Sequence, residues 1–271
     1  MRVAGATGED MARTKPKDWR KYYERRRAGN ANKYGAYLSD AGLKRAQKYY
    51  DDLIADARGR LATGENVLSP ITKRVIEDNI GQYERRREML ARKFEEARQL
   101  LDGKGSPMSV EDAMMGTNPN WTSGSMEWHN NCQRCVIVYE LRRRGYDVTA
   151  TKYEGWDDVA RGWRRAFEGM TPVNVGSRNR QAVLRNMYNL MQSWGEGSRA
   201  IVDLDWSRGT GHVFNAEFRN GKLLLVEAQT GEYVKWSRYE ASMMPTKTKM
   251  WRVDNLPPTE NIVGLMKRGK K

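Results

Sequence analysis

The chain predicts an α+β fold: a helix bearing a cysteine packed on an antiparallel sheet, preceded by an N-terminal helical hairpin arm. Three observations carry that expectation. Two long apolar stripes at helical spacing, joined by a short turn, occupy residues 39–101. A shorter amphipathic helix opens at Cys132. From residue 200 the apolar period changes from about 3.6 residues to about 2, with Asn220-Gly221 between two alternating runs, the signal of a two-residue type I′ hairpin. Helices followed by hairpin-linked strands is the α+β order.

Composition bounds the rest. The 271 residues are 39% hydrophobic and 30% charged, and nine Trp with thirteen Tyr argue against global disorder. No run approaches ~18 apolar residues, so no membrane partner is expected. The first residues are too short and polar for a secretory signal, and two cysteines make no disulfide framework. Export would then need a phage, conjugation or a dedicated machine; otherwise the protein is expected in the cytoplasm. Residues 1–107 carry 24 Lys+Arg against 16 Asp+Glu, so +8 of the net +14 lies there. Such a surface suits acidic partners such as nucleic acid, or is simply a solvated helical face.

The arm is read as residues 1–105. After a loose tail to about 14, residues 16–28 form a basic helical pattern with Trp19, Tyr22 and Tyr23. Ser39-Asp40 caps a helix to about 61, with Leu43, Ala46, Tyr50, Leu53, Ile54 and Ala57 on one stripe. Ser69-Pro70 starts another, running from Ile71 to Leu101, with proline in the first turn. These should pack as an antiparallel hairpin, a docking or spacer arm or a capping layer. The Gly-rich segment 102–107 is the linker candidate, and 106–271 is read as the catalytic domain.

Residues 108–125 look loop-rich. Asn130-Asn131 then caps a helix with Cys132, Cys135, Val136 and Tyr139 on its apolar face, ended by Arg142-Arg143-Arg144-Gly145. Cys132 falls in the first turn, where unpaired N–H groups and the helix dipole favour a thiolate. Both cysteines also suit buried positions on a core-facing stripe. His129, Cys132, Cys135 and His212 could in principle bind zinc, without a second paired motif in support. Cys132 and Cys135 could form a redox pair, though no thioredoxin-like pattern flanks them. Helices are expected over 157–167 and 178–194, a short strand at 146–150, an edge strand at 251–254 and a terminal helix over 259–266.

Strands are expected at 200–206, 212–219 and 222–229. The Asn220-Gly221 turn makes Arg219 face Lys222, so paired residue numbers sum to 441. Phe214 then faces Glu227 and His212 faces Gln229, all on one side of the sheet. His212 and Glu227 become diagonal neighbours, about 7–8 Å apart before their side chains reach inward. A thiol at a helix start and an imidazole on a strand are the parts of a cysteine nucleophile with its base.

These segments resemble a family. Asn131-Cys132-Gln133-Arg134-Cys135-Val136 with Tyr139-Glu140-Leu141 is similar to the opening motif of the papain-fold toxin domains, the Tox-PL or toxin glutamine deamidase type. Gly211-His212-Val213-Phe214 and Val226-Glu227-Ala228-Gln229 are similar to its later motifs. The resemblance covers roughly 118–262 and is nearest to versions in phage minor head proteins and mobile elements. It implies a papain-like fold and a triad of Cys132 as nucleophile, His212 as base and Glu227 as acid, with Asn131, Cys135 and Gln229 in support. Two departures stand out: Glu227 replaces the usual Asp, and Met126, not glutamine, stands six residues before Cys132. The implied activity is amide hydrolysis, deamidating protein glutamine or cleaving peptide bonds, with no cofactor and no metal. The alternative is an inactive papain-like virion protein. Implied partners are a protein substrate and, through the arm, phage head or portal proteins or DNA; the implied location is a phage virion or an exported effector.

Overall fold

The structure is a computed structural model that describes residues 37–155 and 162–269. The helix expected over 16–28 and residues 157–161 of the helix expected over 157–167 lie outside the described residues.

Helices α1 (Asp40–Thr63) and α2 (Pro70–Leu100) form the hairpin. Ser39 Oγ accepts the Gly42 N–H at 3.1 Å, and Ser69 Oγ accepts that of Thr72 at 3.2 Å, each satisfying a first-turn donor. Arg87 to Asp51 (2.6 Å) and Arg58 to Glu84 (2.8 Å) link the exposed flanks of the antiparallel pair. Such exposed ion pairs contribute at most about 1 kcal/mol each, so the buried stripe holds the hairpin. At its base, Leu38, Phe94 and Ala97 join the same hydrophobic core as Val110, Ala113, Ile262 and Leu265. Its far end leaves Val67, Ile71 and Val75 exposed.

A helix, α3 (Val110–Thr117), occupies part of the stretch expected as loop. Eight residues are too few for a clear period, but Val110, Ala113, Met114 and Thr117 bury one face. The single turn α4 (Met126–His129) leads into α5 (Cys132–Arg143). From Arg134 to Arg142 every residue of α5 is buried, so this helix is the centre of the domain rather than a surface element.

The strands are β1 (Val148–Ala150), β2 (Pro172–Asn174), β3 (Arg199–Asp205), β4 (Gly211–Arg219), β5 (Lys222–Glu227), β6 (Glu232–Tyr233), β7 (Lys249–Arg252) and β8 (Met266–Arg268). They make a six-stranded sheet, β2-β7-β3-β4-β5-β6, and a two-stranded one, β1-β8, antiparallel throughout. Helices α6 (Arg180–Trp194) and α7 (Trp236–Ser242) complete the domain. Successive side chains alternate between two layers. Ile201, Val213 and Val226 pack on the α5 side, whereas Val202, Leu204, Phe214 and Ala216 pack against Val183, Met187 and Met191 of α6.

The expected register is present from Arg219↔Lys222 to Asn215↔Val226. Asn220 (φ 51°) and Gly221 (φ 68°) both take the left-handed conformation a type I′ turn requires. Beyond Val226 the strands part: β4 runs on to Gly211 paired with β3, and Glu227 pairs with Glu232 of β6. Elsewhere the expectation is corrected. β7 is internal, because the three-residue β2, too short to show a period, pairs along its outer side. The terminal helix is a 3₁₀ turn, Glu260–Ile262, followed by β8; Gly264 at φ 85° breaks any longer helix. Residues 162–165 are likewise a 3₁₀ turn.

Candidate active site

The start of α5 is fixed by a buried amide network. Asn131 is the residue before the helix, yet its side chain makes no capping bond. Its Oδ1 accepts from Gln229 Nε2 (3.1 Å), Asn118 Nδ2 (3.3 Å) and Cys135 Sγ (3.3 Å), and its Nδ2 donates to the Thr151 carbonyl (3.1 Å). Asn118 Nδ2 also donates to the Gln229 carbonyl at 3.0 Å. Three stretches far apart in sequence are thereby tied at one point, and the helix start is held beside the end of β5. Because the Asn131 side chain is engaged there, α5 has no side-chain cap; the Arg134 and Cys135 N–H groups donate to the Asn131 carbonyl at 2.9 and 3.1 Å, which leaves those of Cys132 and Gln133 as the uncapped donors of the first turn.

The two cysteines of α5 have different surroundings. Cys132 is half-buried at the first helical position; Cys135 is buried one turn on. Burial, reinforced by the neighbouring Cys132 and Glu227 charges, pushes the Cys135 thiol well above its ordinary range. Cys135 therefore stays a thiol that donates to Asn131.

His212 and Glu227 meet where β4 and β5 part. His212 Nε2 lies 2.6 Å from Glu227 Oε2. Cys132, at the first position of α5, is near enough to act on the charge of the same imidazole. Burial pulls the imidazolium down, but the hydrogen bonds to Cys132 and Glu227 and the charges of both outweigh it, and the group is raised to about 10. Glu227 has further donors: the Gln229 N–H reaches Oε1 at 3.2 Å, and Tyr239 Oη donates to Oε2 at 2.5 Å. Rings enclose the imidazole, with Trp206 near-parallel at 6.0 Å, Tyr239 at 5.7 Å and Phe214 at 6.3 Å.

The residues singled out from sequence thus come together, apart from His129. That ring stacks on Trp121 at 3.9 Å, with Nε2 3.1 Å from the Trp121 carbonyl. Among the described residues no group of three or more His, Cys, Asp or Glu is arranged to hold a metal. Asp203 and Asp205 on β3, the carboxylates of the strand beside His212, are not directed to it: Asp203 bonds Arg164 at 2.9 Å, and Asp205 is exposed. Met126 is exposed, so no side-chain donor replaces the absent glutamine at that position.

Sequence reasoning missed Asn118, Trp206 and Tyr239 as parts of the site. Trp206 had a signal, since it continues the alternation of Val202 and Leu204 and so falls on the His212 side. Asn118 and Tyr239 had none. Each reaches the site across a fold-dependent gap, Asn118 from the loop after α3 and Tyr239 from α7.

Residues 130–232 match the model of a family described as papain fold toxin 1, glutamine deamidase. No curated protein and no solved structure matches the chain. The matched span runs from just before Cys132 to just past Glu227, and so contains both cysteines, His212 and Glu227 but neither the hairpin arm nor Tyr239. Within an α+β chain whose cysteine-bearing helix lies near a histidine and a carboxylate at the end of an antiparallel sheet, residues 130–232 are thus similar to a papain-fold toxin domain.

Proposed function

We propose that this protein is a cysteine-dependent amide hydrolase that deamidates glutamine side chains of a protein substrate, with Cys132, His212 and Glu227 as its triad. One observation carries the reading: His212 Nε2 lies 2.6 Å from Glu227 Oε2, and Cys132 acts on the charge of the same imidazole. With Nε2 held by the carboxylate, Nδ1 is the nitrogen left for the sulfur. The raised imidazolium suits a group that hands a proton to the leaving nitrogen.

The steps follow from these positions. The Cys132 thiolate attacks the carboxamide carbon, and the carbonyl oxygen takes the negative charge. The uncapped N–H groups of Cys132 and Gln133 at the start of α5 are the donors for that oxyanion, in place of the side chain that glutamine would supply. His212 gives its proton to the leaving nitrogen, ammonia departs, and a thioester remains. Neutral His212 then takes a proton from water, whose oxygen attacks the thioester to give glutamate and free Cys132. Glu227 holds the imidazole in one tautomer and stabilises its charged form. The deamidase reading is preferred to peptide cleavage because the matched family is described by that activity.

The test is ammonia release from glutamine-containing proteins and peptides, with mass spectrometry of the product. Conversion of glutamine to glutamate without chain cleavage supports the reading. Cleaved peptide bonds with intact glutamines would overturn the deamidase assignment. Activity that survives Cys132→Ala would overturn the triad.

A further inference from the structure

We propose that Tyr239 is a positioning residue of this site, whose hydroxyl clamps Glu227 Oε2 and thereby fixes the His212 imidazole. The proposal rests on the triad reading above and deepens it.

The argument starts from the length of the acid. Glu227 reaches the imidazole through two methylenes, one more rotatable bond than an aspartate would have. An unrestrained glutamate could swing its carboxylate away from the imidazole. Here both of its oxygens are pinned: Oε1 by the Gln229 N–H at 3.2 Å, and Oε2 by Tyr239 Oη at 2.5 Å together with His212 Nε2 at 2.6 Å. The phenol is itself held rigidly. Its ring packs edge-on against Phe214 at 5.3 Å and tilted against Trp206 at 5.4 Å, contacts that aim the hydroxyl at the carboxylate. Its distance to His212 Nε2 is 3.5 Å, which makes the carboxylate its principal partner. Burial first, then the charge and hydrogen bond of Glu227, hold the phenol protonated far into alkali, so it remains a donor across the working range. Tyr239 therefore acts through Glu227 and is neither an acid nor a base for the substrate. It also lies beyond the segment that matches the family, on α7, so this clamp is contributed by the chain outside that segment.

The experiment is Tyr239→Phe in the full chain, which keeps the ring contacts and removes only the hydroxyl. Turnover is expected to fall roughly tenfold to a hundredfold, with KM changed less than about twofold, as for misorientation without lost substrate contacts. The chain has two histidines, so ¹⁵N-edited imidazole spectra resolve His212 against His129. In the wild type His212 should show one ordered form with a downfield Nε2–H proton. In Tyr239→Phe that signal should broaden or shift, and a purely structural role would leave it unchanged. Placed in a Glu227→Asp background, Tyr239→Phe should have less than about a twofold effect, because the shorter arm withdraws its oxygen from the hydroxyl.

An unchanged imidazole signal and unchanged turnover in Tyr239→Phe would overturn the clamp, as would equal losses in both backgrounds. Failure of the hydrolase reading looks different. There the wild type releases no ammonia, while the imidazole signal and the rate of Cys132 alkylation by iodoacetamide still respond to Tyr239→Phe if the clamp exists.

Discussion

Two buried carboxylates, Glu140 and Glu227, are both hydrogen-bonded through both oxygens but have partners of different kinds. Glu140 sits inside α5 with its side chain fully buried, and its partners are guanidiniums: Arg144 Nε at 2.6 Å, and Arg199 Nε and Nη2 at 2.7 and 2.9 Å. Burial works against its charge, but the two arginines outweigh it and lower the carboxyl to about 2. Arg144 goes on to the carbonyls of Leu256 and Val253, both at 2.7 Å, so the cluster fastens α5 to β3 and to the C-terminal segment. Glu227 is surrounded instead by a titratable imidazole, a phenol and a backbone N–H. Guanidiniums have no proton to give near neutral pH, whereas an imidazole has. The choice of donor therefore separates a carboxylate held by permanently charged groups from one placed beside a group that can exchange a proton.

The largest expected effect tests the reactive side of that comparison. Cys132→Ala should lower amide hydrolysis by at least about 10³-fold, whereas Cys135→Ala should keep it within about tenfold. The nucleophile assignment would be reversed if ammonia release followed Cys135 instead. Next come the carboxylates themselves. Glu227→Gln should lower turnover by about 10²–10⁴-fold, since the amide can stabilise the wrong tautomer, and should leave the fold intact. Glu140→Gln should do the converse, lowering stability by about 3–5 kcal/mol because two buried guanidiniums lose their counter-charge. Urea unfolding of both variants beside their kinetics decides it; matched stability losses would erase the distinction drawn here.

A smaller effect sharpens the comparison by pH. The folded His212 imidazolium is raised from 6.5 to about 10, so its contribution to stability is full below about 6.5 and is lost as pH rises toward 10. Glu140 is lowered from 4.5 to about 2, so its contribution is full above about 4.5 and is lost as pH falls toward 2. Thermal unfolding should therefore show His212→Gln flattening the alkaline limb and Glu140→Gln the acid limb. A His212→Gln variant with an unaltered alkaline limb would mean that the imidazole is not charged in the folded protein. The smallest effect is expected at Asp203→Asn. Its partner Arg164 is half-exposed, so stability should change by less than about 1 kcal/mol and turnover by less than about twofold. A larger turnover loss there than at Glu227→Gln would shift the acid of the triad to β3.

The amino-acid sequence determined what depends on near neighbours along the chain. Ser39 and Ser69 announce helix starts because a cap bonds only two or three residues ahead. Asn220-Gly221 fixes the hairpin register because a two-residue turn leaves one way to pair the flanking strands, and that register puts His212 and Glu227 on one face. Cys132 could be placed in a first helical turn for the same local reason. Tertiary structure decided whatever rests on which elements pack together. The exposed-looking α5 is a buried central helix because both the sheet and α3 cover it, and its charged residues are tolerated only because Arg199 and Glu217 arrive from the sheet. β7 became internal through a three-residue partner too short to register as a strand. Asn118 and Tyr239 reached the site from segments whose own patterns do not point to it. Periodicity reports which way a side chain faces within its own element; the position of a phenol 2.5 Å from a carboxylate twelve residues away depends on how those elements are folded against one another.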